Sequence, residues 1–286
     1  MIRVTRVASG VEDTSFDDVL AVEEPLELIL GIPEKGKIVH HPISITMRTP
    51  GFDFELAAGF LFTEGILDSP DQVAGIRHFG VPVKVNGLKN TVIVELNEGV
   101  TVDLKRLERN FYTTSSCGVC GKSSIEALHT GVRKLDAGGN ILIESGLVDT
   151  LPGIVRASQD VFEKTGGLHA SGLFDINGKL EIVREDVGRH NALDKVIGAR
   201  FLAGSLPLSD KILFVSGRVS FELVQKALMA QIPIIAAVGA PSSLAVELAA
   251  EFGMSLIGFV RNGRYNIYSG RERIRIQSRS RVIGVS

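Results

Sequence analysis

Cysteine is scarce in this chain, and its scarcity excludes one class of protein. Among 286 residues only Cys117 and Cys120 are cysteines, and both belong to a single C-x-x-C motif. A small secreted domain held together by disulfides needs more cysteines, spread along its length. The two residues instead indicate a protein of a reducing compartment.

Long apolar runs are also absent. No stretch approaches the ~20 apolar residues of a membrane-spanning helix. At the N-terminus Arg3 and Arg6 alternate with Val4 and Val7, and no apolar leader segment follows. With 44% hydrophobic residues and a formal charge of −2, the composition is that of an ordinary globular protein. We therefore expect a cytoplasmic protein that binds neither membrane nor nucleic acid.

The stretch 113–122, Thr-Thr-Ser-Ser-Cys-Gly-Val-Cys-Gly-Lys, holds both cysteines and leads into a helical pattern. Ser115 and Ser116 are suited to cap that helix. A thiol at the first turn of a helix faces unpaired N–H groups, which favour the thiolate and lower the pKa. Lys122 adds a nearby cation. The stretch therefore predicts a reactive sulfur on an exposed loop.

Three other interpretations of the C-x-x-C remain open at this point. The cysteines could be small buried hydrophobes. They could bind structural zinc, which needs four ligands and would have to recruit His129 and His169 or a second subunit. They could perform thioredoxin-type chemistry, although that motif follows a strand directly and residues 111–114 form a short polar lead-in.

The first part of the chain, residues 1–135, reads as a strand-rich α+β domain that ends in the C-x-x-C loop and its helix. The pattern predicts a nearly all-apolar, buried helix at 53–65. It predicts four strands, at 25–30, 37–47, 72–79 and 91–96.

The second part, residues 136–286, alternates strands and helices after a Gly-rich connector at 130–155. Predicted helices lie at 157–167, 188–202, 219–231 and 242–252. Predicted strands lie at 170–176, 179–184, 211–215, 232–238 and 255–260. The last three strands are short continuous apolar runs, as in a sheet covered on both faces. We therefore predict an α/β fold whose C-terminal domain is a three-layer α/β/α unit with a mixed sheet.

Small and cationic residues follow each of those three strands. The loops read Ser216-Gly217-Arg218, Gly239-Ala240-Pro241-Ser242-Ser243 and Arg261-Asn262-Gly263-Arg264. Ligands of open α/β sheets gather at the carboxyl ends of the strands, and backbone N–H groups and arginines both bind phosphate. The three loops together predict an anionic ligand, a nucleotide or pyrophosphate, although each loop alone is ordinary turn chemistry.

Two further polar stretches lie in this part of the chain, and the first of them, residues 165–172, brings His169 into a Gly-rich turn. Residues 184–192 gather charged and amide side chains at a helix start, and Asp186 and His190 are second-rank site candidates there. Taken alone, His190 is equally well explained as a cap or an exposed residue.

In the arginine-rich tail, charged and apolar side chains alternate over 271–276. This alternation predicts a half-exposed strand that forms a solvated face or an anion site.

Seven short motifs along the chain together carry a family resemblance. The first domain contributes Gly-Phe-Leu-Phe-Thr-Glu-Gly at 59–65 and Thr-Ser-Ser-Cys-Gly-Val-Cys-Gly-Lys at 114–122. The remaining motifs are Thr-Gly-Gly-Leu-His-Ala-Ser at 165–171, Glu-Asp-Val-Gly-Arg-His-Asn-Ala at 185–192, Ser-Gly-Arg-Val-Ser at 216–220, Gly-Ala-Pro-Ser-Ser at 239–243 and Gly-Phe-Val-Arg-Asn-Gly-Arg at 258–264. Together these motifs resemble the FdhD family, the formate dehydrogenase accessory sulfurtransferases, and the resemblance does not extend beyond Gly270.

This resemblance implies a cytoplasmic sulfur carrier that takes sulfur from a cysteine desulfurase and passes it to the molybdenum cofactor of formate dehydrogenase. It implies a persulfide on Cys117, with Cys120 assisting transfer or closing a disulfide. The cofactor is the bis(molybdopterin guanine dinucleotide) form, of which GDP is a partial mimic, and a homodimer is expected. The implied cofactor-binding stretch consists of Phe259, Val260, Arg261, Asn262, Gly263 and Arg264.

The family also implies a likeness of the second domain to cytidine deaminases, which raises a competing activity. Zinc deaminases use H-x-E followed by P-C-x-x-C. Here Ser171 stands where the glutamate is needed, and His169 follows the C-x-x-C instead of preceding it. Deaminase chemistry is therefore not expected. A non-catalytic cofactor chaperone whose C-x-x-C binds metal is the alternative to sulfur transfer.

Overall fold

The computed structural model describes residues 1–83, 87, 89–103, 133–135 and 141–276. Within these ranges the chain forms fourteen strands and six α-helices, numbered here in chain order. The C-x-x-C loop and its predicted helix lie outside the described residues, as do the end of the arginine-rich tail and residues 136–140 beside the predicted domain boundary. That boundary stays a prediction.

The first part of the chain forms a four-stranded sheet in the order β4-β3-β6-β5. Its strands are β3 (Glu24–Glu34), β4 (Lys37–Arg48), β5 (Val73–Phe79) and β6 (Thr91–Leu96). Leu26, Leu28 and Leu30 of β3 are buried in alternation, as expected for a strand with one face on the core. The predicted strands are confirmed, and a hairpin of β1 (Ile2–Ala8) and β2 (Val11–Asp18) precedes them.

The second part forms a six-stranded mixed sheet in the order β13-β12-β11-β10-β8-β9, in which only β10, β11 and β12 are mutually parallel. Its strands are β8 (His169–Asp175), β9 (Leu180–Asp186), β10 (Lys211–Val215), β11 (Ile234–Ala237), β12 (Ser255–Arg261) and β13 (Arg264–Ser269). Two short strands, β7 (Ile143–Glu144) and β14 (Ile274–Arg275), pair beside it.

Helices cover both faces of this sheet. They are α2 (Ser145–Ala157), α3 (Asp160–Thr165), α4 (Arg189–Leu202), α5 (Phe221–Met229) and α6 (Ser243–Glu251). Ile212 and Phe214 of β10 pack in the cluster that contains α2, while Leu213 and Val215 pack in the cluster that contains α4, α5 and α6. This alternation confirms the predicted three-layer arrangement. The likeness to cytidine deaminases stays a prediction.

The two sheets meet where α1 (Asp53–Thr63) crosses α4. A Cβ at Gly59 would fall on the backbone of Asp194 and Gly198, and one at Gly198 would fall on the backbone of Glu55 and Gly59. Two glycines therefore let the helices approach backbone to backbone. One hydrophobic cluster runs from the first sheet through this crossing into the second.

Three predicted segments need correction. The connector at 130–155 contains α2, because Val148, Leu151 and Val155 form an apolar face that Gly146, Pro152 and Gly153 obscured. The predicted helix at 157–167 is the end of α2 followed by the separate α3. The predicted tail strand at 271–276 is a 3₁₀ turn at Arg271–Arg273 followed by the two-residue β14.

The tail arginines that the structure describes are not a uniformly solvated face. Arg273 is 3% exposed and donates to the Gly253 carbonyl at 2.7 Å. Arg275 remains exposed and pairs with Glu144 at 2.9 Å. The prediction of a half-exposed face fails at Arg273, because its guanidinium is held inside the protein by the Gly253 carbonyl, just before β12.

Candidate functional site

Because β10, β11 and β12 are parallel, the loops that follow them lie at one edge of the sheet. A cavity of about 370 Å³ opens there. Six predicted residues line it, namely Ser216, Gly217, Arg218, Gly239, Phe259 and Arg261. Its other lining residues are His169, Arg189 and Val238.

Backbone hydrogen bonds tie the three loops to one another. The Gly239 N–H donates to the Gly217 carbonyl at 3.2 Å, and the Phe259 N–H donates to the Gly239 carbonyl at 3.2 Å. A Cβ at Gly239 would lie 2.8 Å from the Gly217 carbonyl oxygen, so only glycine permits this approach. Phe259 has φ 57°, a left-handed conformation that non-glycine residues rarely adopt. Such conformations concentrate at ligand sites, where the surrounding structure maintains them.

The cavity is cationic. In the part of the chain that the structure describes, none of Arg189, Arg218 and Arg261 forms an ion pair. The Arg261 guanidinium lies 5.7 Å from the centre of the Phe259 ring. Arginines without an internal partner at a rim of small residues provide charge-assisted hydrogen bonds to an external anion. The site is therefore chemically suited to phosphate.

His169 lies among these cations. Burial lowers its pKa, and the positive charge of Arg189 lowers it further, while the Asp186 carboxylate acts in the opposite direction. The imidazole is therefore neutral at pH 7 and presents one donor and one acceptor. Its ring is also close to the Gly217 backbone, where a Cβ would lie 3.2 Å from Nδ1.

His190 lies beside the cavity and not in its lining. Its Nε2 is 3.1 Å from the Ser220 hydroxyl and 3.9 Å from a Glu222 carboxylate oxygen. Burial lowers its pKa to about 4, and Arg189 and Lys226 contribute in the same direction. The ring is neutral at pH 7. In a nucleophile triad the hydroxyl and the carboxylate contact different ring nitrogens of the histidine. Here Ser220 and Glu222 both lie at Nε2, so His190, Ser220 and Glu222 do not form such a triad.

Asp186 is held inside the protein. It is fully buried and pairs with the buried Lys195 at 2.7 Å. It is the register partner of His169 across β8 and β9, so its backbone adjoins the cavity while its carboxylate is turned to internal partners.

Five other predicted residues do not line the cavity. Ser242 caps α6 by accepting from the Ala245 N–H at 3.3 Å, and Val260 packs in the core beneath the sheet. Asn262 and Gly263 form the exposed turn between β12 and β13, and Arg264 is exposed at the start of β13. Ligand binding by any predicted residue stays a prediction.

The sequence drew attention to the polar stretches that contain His169 and Arg189 but did not name either residue as a ligand contact, and it missed Val238 altogether. The usable signal for His169 was the hairpin of β8 and β9. Because β8 runs antiparallel to β10, its first residue lies at the edge where β10 ends. For Arg189 the signal was its place at the first turn of α4, next to the predicted His190.

A larger open cavity of about 530 Å³ lies at the opposite end of the sheet. Two of its three lining cations, Arg200 and Lys211, pair with Glu181 at 2.7 and 2.9 Å, and Lys211 also pairs with Asp210 at 3.3 Å. Because carboxylates line this cavity and hold two of its cations, the strand-end cavity is the better candidate for an anion despite its smaller volume.

Among the described residues no cluster of three or more His, Cys, Asp or Glu side chains is placed to hold a metal ion. None of the described helices combines the length and the apolar character that crossing a membrane requires. Cys117 and Cys120 lie outside the described residues, so their predicted roles are not tested by the geometry.

Comparisons with known proteins agree with the resemblance. Residues 21–275 match the model of the FdhD/NarQ family. A relative in Streptomyces avermitilis, called sulfur carrier protein FdhD, is 50% identical over 278 residues, which cover 96% of this chain and 95% of the relative. A relative of the same name in Mycobacterium tuberculosis is 45% identical over 276 residues, covering 95% and 97%.

A solved structure gives the same fold. It is a formate dehydrogenase accessory protein from Desulfotalea psychrophila, with a TM-score of 0.70 and 23% identity, covering 96% of this chain and 98% of that one. At this identity the likeness supports the fold alone.

Proposed function

The chain belongs to the FdhD/NarQ family, and we propose that it is a sulfur carrier required for active formate dehydrogenase. In this proposal Cys117 receives sulfur from a cysteine desulfurase and delivers it to the molybdenum cofactor, which the chain binds as its cargo. The protein works in the cytoplasm as a homodimer, with the desulfurase as donor and formate dehydrogenase as the final recipient.

The loading step is a thiol–persulfide exchange. The Cys117 thiolate attacks the terminal sulfur of the desulfurase persulfide, a new S–S bond forms on Cys117, and the desulfurase cysteine leaves as a thiolate. The exchange moves one sulfur atom without an external oxidant or reductant. It depends on thiolate character and access, which the glycines at 118 and 121 and Lys122 favour.

Cys120 offers one route by which the outer sulfur of the Cys117 persulfide is released. If its thiolate attacks the inner sulfur of the Cys117 persulfide, a Cys117–Cys120 disulfide forms and the outer sulfur leaves as sulfide. The two electrons that reduce the outer sulfur come from the two cysteines, which end oxidised. A later thiol exchange then has to restore them. Direct transfer from Cys117, with Cys120 only assisting, is the other route.

The strand-end cavity supports the binding of the cargo, and it is the observation that carries the proposal. Its arginines, which form no ion pair with any residue that the structure describes, provide charge for the pyrophosphate of a guanine dinucleotide, and the Phe259 ring provides an apolar surface beside Arg261. A volume of about 370 Å³ is within the usual range for a small-molecule pocket. It accommodates part of the bis(molybdopterin guanine dinucleotide), for which GDP is the practical probe.

The test is persulfide transfer with purified proteins. The chain is incubated with a cysteine desulfurase and cysteine, persulfides are trapped by alkylation, and the labelled residue is identified by mass spectrometry. We expect the label on Cys117 in the wild type and none there in Cys117→Ala, which should remain folded by circular dichroism. Cys120→Ala should still load.

Two results would contradict this assignment. Undiminished sulfur delivery by Cys117→Ala would exclude the persulfide at this residue, and label confined to Cys120 would reverse the two roles. Stoichiometric metal in the purified protein that is lost in both cysteine variants, together with no persulfide, would establish the metal-binding chaperone instead.

A further inference from the structure

The end of β4 reaches across to the turn that precedes α4. Thr49, the residue after β4, makes two hydrogen bonds to this turn. Its N–H donates to Asp186 Oδ2 at 3.1 Å, and its hydroxyl accepts from the Val187 N–H at 3.1 Å. Asn191 donates to the Met47 carbonyl at 2.8 Å and accepts from the Thr46 hydroxyl at 3.2 Å. The first sheet is therefore joined to this turn by side-chain bonds that span more than 130 residues of sequence.

A buried ion pair lies at the centre of this contact. Lys195 is 1% exposed, and its ammonium reaches Asp186 at 2.7 Å, the Thr49 carbonyl at 2.9 Å and the Glu185 carbonyl at 3.3 Å. Asp186 also accepts from the Gly188 N–H at 2.8 Å and from Asn191 at 3.1 Å. Buried charges are tolerated only when such partners satisfy them. Thr49, Asp186, Asn191 and Lys195 are called the buried clamp below.

The buried clamp adjoins the cavity through the backbone. Asp186 is paired in register with His169, which lines the cavity. Gly188, whose N–H the clamp holds, comes directly before Arg189, the first residue of α4 and a second lining residue. The position of both lining residues therefore depends on groups that themselves never reach the cavity.

The charge of Asp186 adds an electrostatic consequence. A carboxylate next to an anion site repels the anion, and the repulsion is strong where water is excluded. Lys195 supplies the compensating positive charge at 2.7 Å. Without it, the negative charge of Asp186 would act more strongly on His169 than it does now, and it would also act on any bound phosphate.

We infer that the buried clamp is a positioning device, which sets Arg189 and His169 for the anion and prevents Asp186 from repelling it. Through Thr49 it makes the site dependent on the docking of the first sheet. The inference rests on the proposed function, because it assumes that the strand-end cavity binds the guanine nucleotide part of the cargo.

The experiment compares three variants of the full chain by GDP titration and by NMR titration of the histidine rings. Lys195→Met removes the compensating charge. Thr49→Val removes one hydrogen-bond acceptor and leaves the ion pair in place. Arg273→Met is the matched control, since Arg273 is also a buried cation held by a carboxylate, Glu272 at 3.6 Å, and by a carbonyl, Gly253 at 2.7 Å. These contacts lie just before β12 and so at the opposite end of that strand from the cavity.

We expect the GDP Kd to rise about tenfold in Lys195→Met and about threefold in Thr49→Val. It should stay at the wild-type value in Arg273→Met, although that variant also loses thermal stability. The pKa of His169 should rise in Lys195→Met, because the Asp186 charge is no longer balanced, and should not change in Arg273→Met. A role confined to stability would not produce this difference between two buried cations.

The inference is overturned if Lys195→Met and Thr49→Val bind GDP as the wild type does, or if Arg273→Met loses as much affinity as Lys195→Met. Should Lys195→Met fail to fold, the GDP affinity of Thr49→Val decides. Should the wild type itself not bind GDP, the proposed function fails at this cavity, and the His169 titration alone decides whether the clamp controls the environment of that ring.

Discussion

Arg261 and Arg264 are three residues apart, yet the structure gives them different surroundings. Arg261 lines the cavity, whereas Arg264 is exposed at the start of β13. Arg261→Ala removes charge-assisted hydrogen bonds worth roughly 1.5–3 kcal/mol, which is about one to two decades in Kd for GDP. Arg264→Ala serves as the matched control and should bind GDP within about threefold of the wild type.

Isothermal titration at low and high salt measures both effects. Affinity of the wild type should fall as salt rises, because part of the attraction is screened. Equal affinity of wild type and Arg261→Ala would place the nucleotide elsewhere. Loading of Cys117 with persulfide should be unchanged in both variants, since it needs only the donor enzyme and the cysteine loop.

At His190 the structure predicts a specific pH dependence. Its pKa is lowered to about 4, chiefly by burial, whereas in the unfolded chain it is near 6.5. Between these values the unfolded state binds a proton that the folded state does not. The free energy of unfolding should therefore decrease as pH falls from about 6.5 towards 4.

NMR titration of the His190 ring checks this directly. We expect the ring to stay neutral down to about pH 4 and its pKa to rise in Arg189→Ala, which removes a neighbouring positive charge. A midpoint near 6.5 in the wild type would show that the ring is solvated and would remove this contribution to the pH dependence.

At the scale of elements, the crossing of α1 and α4 depends on Gly59 and Gly198. A methyl group at either position meets backbone atoms, which cannot rotate away. We expect Gly59→Ala or Gly198→Ala to lower the free energy of unfolding by about 3 kcal/mol or more. Urea denaturation followed by circular dichroism measures the change.

Gly153→Ala in α2 is the control for helix propensity. A Cβ at Gly153 has nothing within 4 Å, so the variant should gain about 0.5–1 kcal/mol. If Gly59→Ala and Gly198→Ala were as stable as the wild type, the helices would have to separate at little energetic expense, and the crossing would not be the tight contact described.

At the scale of the whole molecule, the two sheets share a core and charged contacts. Lys226 of α5 reaches Asp194 of α4 at 3.0 Å and Glu64, directly after α1, at 3.2 Å. The hydrophobic cluster on that side of the second sheet continues into the first. We therefore expect both sheets to unfold in one cooperative transition, with a calorimetric to van't Hoff enthalpy ratio of about 1.

Differential scanning calorimetry tests this, and native-state hydrogen exchange gives the local detail. Amides of β3 and of β10 should exchange with similar free energies of opening. Two resolved calorimetric transitions would show that each sheet folds on its own and that the shared cluster contributes little to cooperativity.

The sequence was sufficient for those features that depend on local pattern. Partial alternation of apolar and polar residues over 37–47, now β4, and continuous apolar runs in β10 to β12 predicted strands and the layered class, because the period of the side chains indicates which faces are covered. The three loops after those strands were recognisable from Gly, Ser and Arg alone. Family motifs then identified the chain, including the C-x-x-C that lies outside the described residues.

Only the tertiary structure decided which residues meet at the cavity. Asp186 looked like a site residue because it lies among charged neighbours, but the ammonium of Lys195 and the N–H of Thr49, 137 residues away, hold its carboxylate inside the protein. His169 reaches the cavity only because β8 pairs antiparallel with β10. Such contacts depend on strand register and on the docking of two sheets, and no local periodicity encodes either of them.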